Sequence, residues 1–175
     1  MEVKGYKSFN KYHKNKYGIY MEEGKTYHTD GVIKFGLEGN EFHFCKYLED
    51  TIKYQMSIND ELINPVIAKV TGFGKIVEYN DNIYDYYNQY VAEYIKIDKF
   101  LKWKEIIDYA LNLGVIGMYR FVTQYKLTNS EIKLFKGKYL DIDLALLYHQ
   151  KEEKETYNMF YNGDSKKVLK LIKNI

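Results

Sequence analysis

The chain is poor in the residues that staple, break or strongly charge a fold. One cysteine, Cys45, stands among 175 residues. An intramolecular disulfide framework and a multi-cysteine zinc site are therefore excluded. The single proline, Pro65, and the lack of any Ser/Gly-rich stretch leave no linker that would separate two freely jointed parts. Arginine is almost missing: Arg120 is the one Arg within 26 basic residues. Bidentate reading of guanine or phosphate favours Arg. The formal net charge is only +2. No field strong enough to gather nucleic acid results, so no specific nucleic-acid partner is expected. No apolar run approaches the ~18 residues of a membrane-spanning helix, and Met1 to Tyr6 is polar rather than signal-like. A cytoplasmic protein that does not engage a membrane is the expectation.

What the chain does have is hydrophobic content of 46% and 20 tyrosines. Tyr buries its ring but wants its hydroxyl paired or wet, so the rim of the core should be amphipathic. The surplus of Tyr, Lys, Asn and Ile fits an AT-rich genome. The alternative is a Tyr-lined interaction surface, which also leaves a homo-oligomer open.

The first hundred residues read as short strands separated by turns. Val3–Phe9 is a first strand, Asn10–Lys16 a basic loop and Tyr17–Tyr20 a second strand. Glu22–Lys25 turns the chain into Thr26–His28. Asp30-Gly31 signals another turn ahead of a strand over Val32–Phe35. In Glu41-Phe42-His43-Phe44-Cys45 the two Phe alternate with polar neighbours, the period of a half-buried strand. That period places His43 and Cys45 on one face. Tyr47–Tyr54 changes to helical spacing. Pro65 precedes a long strand, Val66–Tyr79, which Gly72 and Gly74 should bulge near its middle. A turn at Asn80–Asn82 and a last strand at Gln89–Ile97 follow. After Phe100 helical spacing takes over, at 103–111, at 115–125, after an N-cap at Thr128 or Asn129, at 140–161 and at 166–175. The fold class is α+β: a mostly antiparallel β head with one short helix, residues 1–102, then a C-terminal helical bundle, residues 103–175, packed on it. Trp103 at the junction should fill the space between the two.

Together, Gly5-Tyr6-Lys7, Gly24-Lys25-Thr26-Tyr27, Gly39 to Cys45, the helix through Tyr54 and Val70 to Val77 resemble an uncharacterised family of phage and prophage proteins. The resemblance covers somewhat over half the chain and brings no activity with it. It implies a mobile-element origin and a host protein as partner.

A fainter resemblance is to the ADP-ribosyltransferase fold. It is carried by Gly39-x-x-Phe42-x-Phe44, by Leu48-Glu49-Asp50-x-Ile52-x-x-Tyr54 and by Glu93-Tyr94-Ile95-Lys96-Ile97. It implies NAD as cofactor, bound by Tyr6, Lys7, Phe42, His43 and Tyr54. It also implies that Glu93 holds a ribose hydroxyl and stabilises positive charge at the anomeric carbon. The chain departs from that pattern. Lys4, Tyr6 and Lys7 stand where an Arg or His is expected, and His43 and Cys45 replace the Ser-Thr-Ser or Tyr of the central strand.

Other chemistry-bearing residues have structural readings. A Cys45–His43 pair lacks an identifiable third group to orient the base. His13, His28 and His149 show no spacing that converges on a metal. Gly72-x-Gly74 is not followed by the Lys-Ser/Thr of a phosphate loop. The sequence therefore favours a non-enzymatic binding protein without cofactor or metal, which engages a host protein and in its concrete form inhibits a bacterial defence system. The rival is an NAD-using enzyme of ADP-ribosyltransferase type.

Overall fold

The computed structural model describes residues 1–15, 18–34, 42–52, 66–81 and 86–150. These divide into two compact units, one up to Trp103 and one from Lys104 onward. The protein is α+β: a five-stranded antiparallel sheet, and helices that lie mostly after it in sequence.

The sheet comprises β1 (Glu2–Phe9), β2 (Thr26–His28), β3 (Phe42–Cys45), β4 (Val66–Asp81) and β5 (Tyr86–Phe100). β4 and β5 are 16 and 15 residues long, two to three times the common strand length of ~5–6. Strands of that length cannot stay flat, and this hairpin bends. Its register shifts between Lys69 and Val70, between Phe73 and Ile76, and between Tyr79 and Asp81. At the middle shift Gly74 takes φ +79°, a backbone that favours glycine. Opposite it, the inward parity of β5 switches: Tyr90 and Ala92 face the core on one side of Glu93, and Ile95 and Ile97 on the other.

The bend lets the sheet close. β1 pairs with both β3 and β4, and β5 pairs with the same two strands. These four strands thus form a ring, with β2 added along β5. Closure satisfies backbone groups that an open sheet would leave at its edges. It also makes an inside, filled by Phe9, Met21, Phe42, Phe44, Val70, Tyr90, Ile95 and Ile97 among others. Phe44 lies over glycines: a Cβ on Gly72 would come within 2.6 Å of its ring, and one on Gly5 would run into the Cys45 carbonyl oxygen and come within 2.8 Å of the ring. Gly72 is therefore the space that the ring occupies, and Gly5 admits both the ring and the β3 backbone.

Phe42 and Phe44 are 5% and 3% exposed, the burial expected from their spacing. Cys45 departs from the alternation. It is buried at 4%, while His43 is half-buried. Helix α1 (Leu48–Ile52) packs against β1 and β3. Its Leu48 is fully buried, and its Thr51 hydroxyl donates to the Tyr6 carbonyl.

Two expected strands are not formed. Residues 18–20 contribute only an isolated bridge, Lys14 to Tyr20. Side chains organise this loop instead. Asn10 Oδ1 accepts the Tyr12 and Lys14 N–H groups at 2.9 Å, and Asn15 Oδ1 accepts Ile19 N–H at 3.0 Å. Such local bonds compete with a ladder for the same donors. Residues 32–34 are likewise irregular, although Ile33 is buried as a single anchor. β4 also runs through the turn expected at Asn80 and Asp81. Tyr17, residues 35–41, Tyr54, Asn82 and everything after Gln150 lie outside the described residues.

The second unit contains α2 (Trp103–Ala110, beginning in the junction residue), α3 (Val115–Gln124), α4 (Asn129–Phe135) and α5 (Leu140–Gln150). Each is short, and each buries one stripe: Ile106, Ile107 and Ala110; Met118, Phe121 and Val122; Ile132 and Phe135; Ile142, Ala145 and Leu146. The Phe121 ring stacks on Phe135 at 5.6 Å and meets Tyr125 at 5.0 Å. α4 starts in a capping box. The Thr128 hydroxyl accepts Glu131 N–H, and the Glu131 carboxylate accepts Thr128 N–H. Trp103 itself is half-buried.

Candidate functional site

The residues of β1, β4 and β5 that do not enter the core form the outer face of the ring, and the strand register sets their positions. Lys4 lies opposite Thr71, and Thr71 lies opposite Lys96. Two residues along β1, ~7 Å away by strand rise, Tyr6 lies opposite Lys69. Two residues the other way, Glu2 lies opposite Phe73, which lies opposite Tyr94. Lys46, one residue beyond β3, joins the same rim. The result is a groove of about 680 Å³ whose lining includes Lys4, Lys46, Lys69, Lys96, Tyr6, Thr71 and Phe73.

Four lysines against the two carboxylates of Glu2 and Asp98 make the groove cationic. Asp98 is held in place: Oδ2 accepts the hydroxyl of buried Thr71 at 2.7 Å, and Oδ1 lies 3.8 Å from Lys96 Nζ. Lys4 and Lys69 are exposed and have no ion-pair or hydrogen-bond partner among the described residues. Lys4 and Lys96, with β4 between their strands, are ~10 Å apart, and cations at that distance repel each other by less than ~2 kcal/mol near a wet surface. That cost is small enough for the fold to carry, and an anion placed between them would reverse it. Tyr6, which spans the lysine rows, has its hydroxyl pKa pushed up, mainly by burial and also by the nearby Glu49 carboxylate. It is thus a neutral hydrogen-bonding group rather than a competing anion.

One end of the groove is aromatic. Phe73 stacks on Tyr94 at 5.2 Å with 9° between the planes, and Tyr94 stacks on His28 at 4.4 Å. His28 sits between carboxylates, with Nδ1 3.3 Å from Asp30 and Nε2 3.6 Å from Glu93.

The residues singled out from the sequence are not gathered at one place. Tyr6 lines the groove. Lys7 projects elsewhere and donates from Nζ to the His43 carbonyl at 2.6 Å. Phe42 is sealed in the core. Glu93 is half-buried on β5 beside the Gly74 bulge, where its Oε2 accepts Lys75 N–H at 3.0 Å. Glu93, Lys7, Phe42 and His43 do not line the groove. Among the described residues no group of His, Cys, Asp and Glu is arranged to hold a metal ion. No helix among them is long and apolar enough to cross a membrane.

Sequence reasoning missed Lys46, Lys69, Lys96, Thr71 and Phe73 as a set. The lysines come from well-separated segments and look scattered along the chain. The usable signal was parity: Lys4, Lys69 and Lys96 each sit out of phase with the buried residues of their own strands, and so point outward together once the strands pair.

No protein family, curated protein or solved structure matches this chain.

Proposed function

We propose that this chain is a non-enzymatic binding protein that engages an acidic surface of a host protein through the lysine-lined groove. The observation that carries this reading is the convergence of Lys4, Lys46, Lys69 and Lys96 on one concave sheet face that also presents Tyr6 and Phe73. Charge complementarity of this kind speeds encounter and selects partners more than it adds raw affinity. The resemblance to phage and prophage proteins agrees with a host target, and inhibition of a bacterial defence system is the concrete form of the proposal. The same reading places the protein in the cytoplasm and takes the helices from Trp103 onward as a C-terminal bundle.

No specific observation favours the NAD-dependent alternative. Its proposed glutamate is engaged at a β-bulge, and its proposed pocket floor, Phe42, is core.

Capture from host lysate with the wild type and with the Lys4→Glu/Lys69→Glu double variant tests the proposal. One stoichiometric partner held by the wild type and released by the double variant is the expected result. A partner retained equally by both would contradict the assigned surface. Incubation with labelled NAD should transfer no label; transfer that disappears in Glu93→Gln would overturn the non-enzymatic reading.

A further inference from the structure

We infer that the groove recognises an acidic protein segment by stacking one aromatic side chain of that segment on Phe73. This inference rests on the binding-protein reading and specifies its chemistry.

His28, Tyr94 and Phe73 follow one another across β2, β5 and β4, with neighbouring planes 24° and 9° apart. Stacked rings on adjacent strands hold one another upright, so Phe73 enters the groove as a rigid wall rather than a mobile side chain. One face of Phe73 is taken by Tyr94. Among the described residues no second ring lies against it. The neighbour on its β1 side is the exposed Glu2, and Phe73 lines the open groove. A ring arriving from a partner would extend the stack by one member at little ordering cost to the protein. Carboxylates that follow the ring along the groove would then pass Lys4, on the adjoining row, and Lys69, one row further.

The charge pattern selects a protein segment over a nucleic acid strand. A phosphate backbone repeats its charge at every unit and would meet Glu2 and Asp98 in the groove. A peptide can set its acids opposite the lysines and leave the other positions neutral. The near absence of Arg, the better phosphate fork, points the same way.

The test is fluorescence anisotropy with two short fluorescein-labelled peptides of alternating Glu and Asp, one with Trp at its centre and one with Ala there. On the wild type the Trp peptide should bind about tenfold more tightly, from the ring contact and the area that it buries. Phe73→Leu should abolish that preference while weak binding of both acidic peptides persists. Phe73→Tyr, which keeps the ring, should retain it. Lys4→Glu/Lys69→Glu should lose both peptides. Equal binding of the two peptides by the wild type, lost in the double variant, would overturn the stacking inference and leave the lysine groove standing. Failure of both peptides on folded wild type would overturn both. Tighter, lysine-dependent binding of oligothymidine than of either peptide would overturn the inference in favour of a nucleic acid ligand.

Discussion

The inner and outer faces of the ring are written by the same strands and obey different rules. On the inside, β1 and β4 present Gly5, Val70 and Gly72 to Phe44, and the fit is one of volume: the glycines are small because the ring lies on them. On the outside, the neighbouring positions present Lys4, Tyr6, Lys69 and Phe73 to the groove around the buried Thr71, and the pattern is one of charge with a single aromatic wall. A change of one methyl group inside should disturb folding. A change of sign outside should disturb only what docks there.

Phe44→Ala tests the inside most severely. It removes a ring that the glycines cannot replace, and should cost about 3–5 kcal/mol in urea unfolding. Gly72→Ala makes the opposite error. The new Cβ would sit 2.6 Å from the Phe44 ring and 3.1 Å from Ala92 Cβ, which should cost about 1–3 kcal/mol. The two sites share one volume, so Gly72→Ala should cost clearly less in a Phe44→Leu background than alone. Equal costs would mean that the ring does not lie on the glycine.

A control in the helical unit should fall below these. Thr128→Ala deletes the side-chain half of the α4 capping box and should lower stability by about 1 kcal/mol. Smaller still, Lys4→Glu/Lys69→Glu should shift unfolding by within about 0.5 kcal/mol, since neither lysine has a described partner to lose.

The final contrast is in pH. Tyr90, on the inner face, has its pKa pushed up to about 12, first by burial and then by its hydrogen bond to Glu78. An unfolded Tyr titrates near ~10. The native state therefore holds the proton more tightly, so this contribution is complete below pH ~10 and is lost as pH rises toward 12. The urea midpoint should fall on going from about pH 9 to about pH 11. Part of that fall should vanish in Tyr90→Phe, which has nothing to titrate. The buried Tyr125 of the second unit is also raised, by burial, so some alkaline loss should persist in the variant.

Much of the linear architecture was legible in the sequence. The alternation at Phe42 and Phe44, the long strand after Pro65, the bulge at Gly74 and the N-cap at Thr128 all rest on rules that act within a few residues. What escaped acts at longer range or through side chains. Asn10 and Asn15 capture backbone donors and dissolve a strand that Gly18-Ile19-Tyr20 would otherwise suggest. The alternation puts Cys45 on the face of His43, yet Cys45 is buried like the two Phe, at the end of β3 that leads into α1. Ring closure depends on β1 meeting both β3 and β4, pairings that no local pattern announces. The groove follows from the same long-range pairing: Lys4, Lys69 and Lys96 share a face because β4 lies between β1 and β5, and the pairing of β1 with β3 adds Lys46 at the rim.

The most direct measurement puts both faces through both assays: urea midpoint and affinity for the Trp-bearing acidic peptide, for Gly72→Ala and for Lys4→Glu/Lys69→Glu. A crossed result is expected. The glycine variant loses stability yet binds as the wild type does while folded, and the lysine variant keeps its midpoint and loses at least about tenfold in affinity. Affinity unchanged on reversing both lysines, or stability and affinity falling together in both proteins, would contradict it.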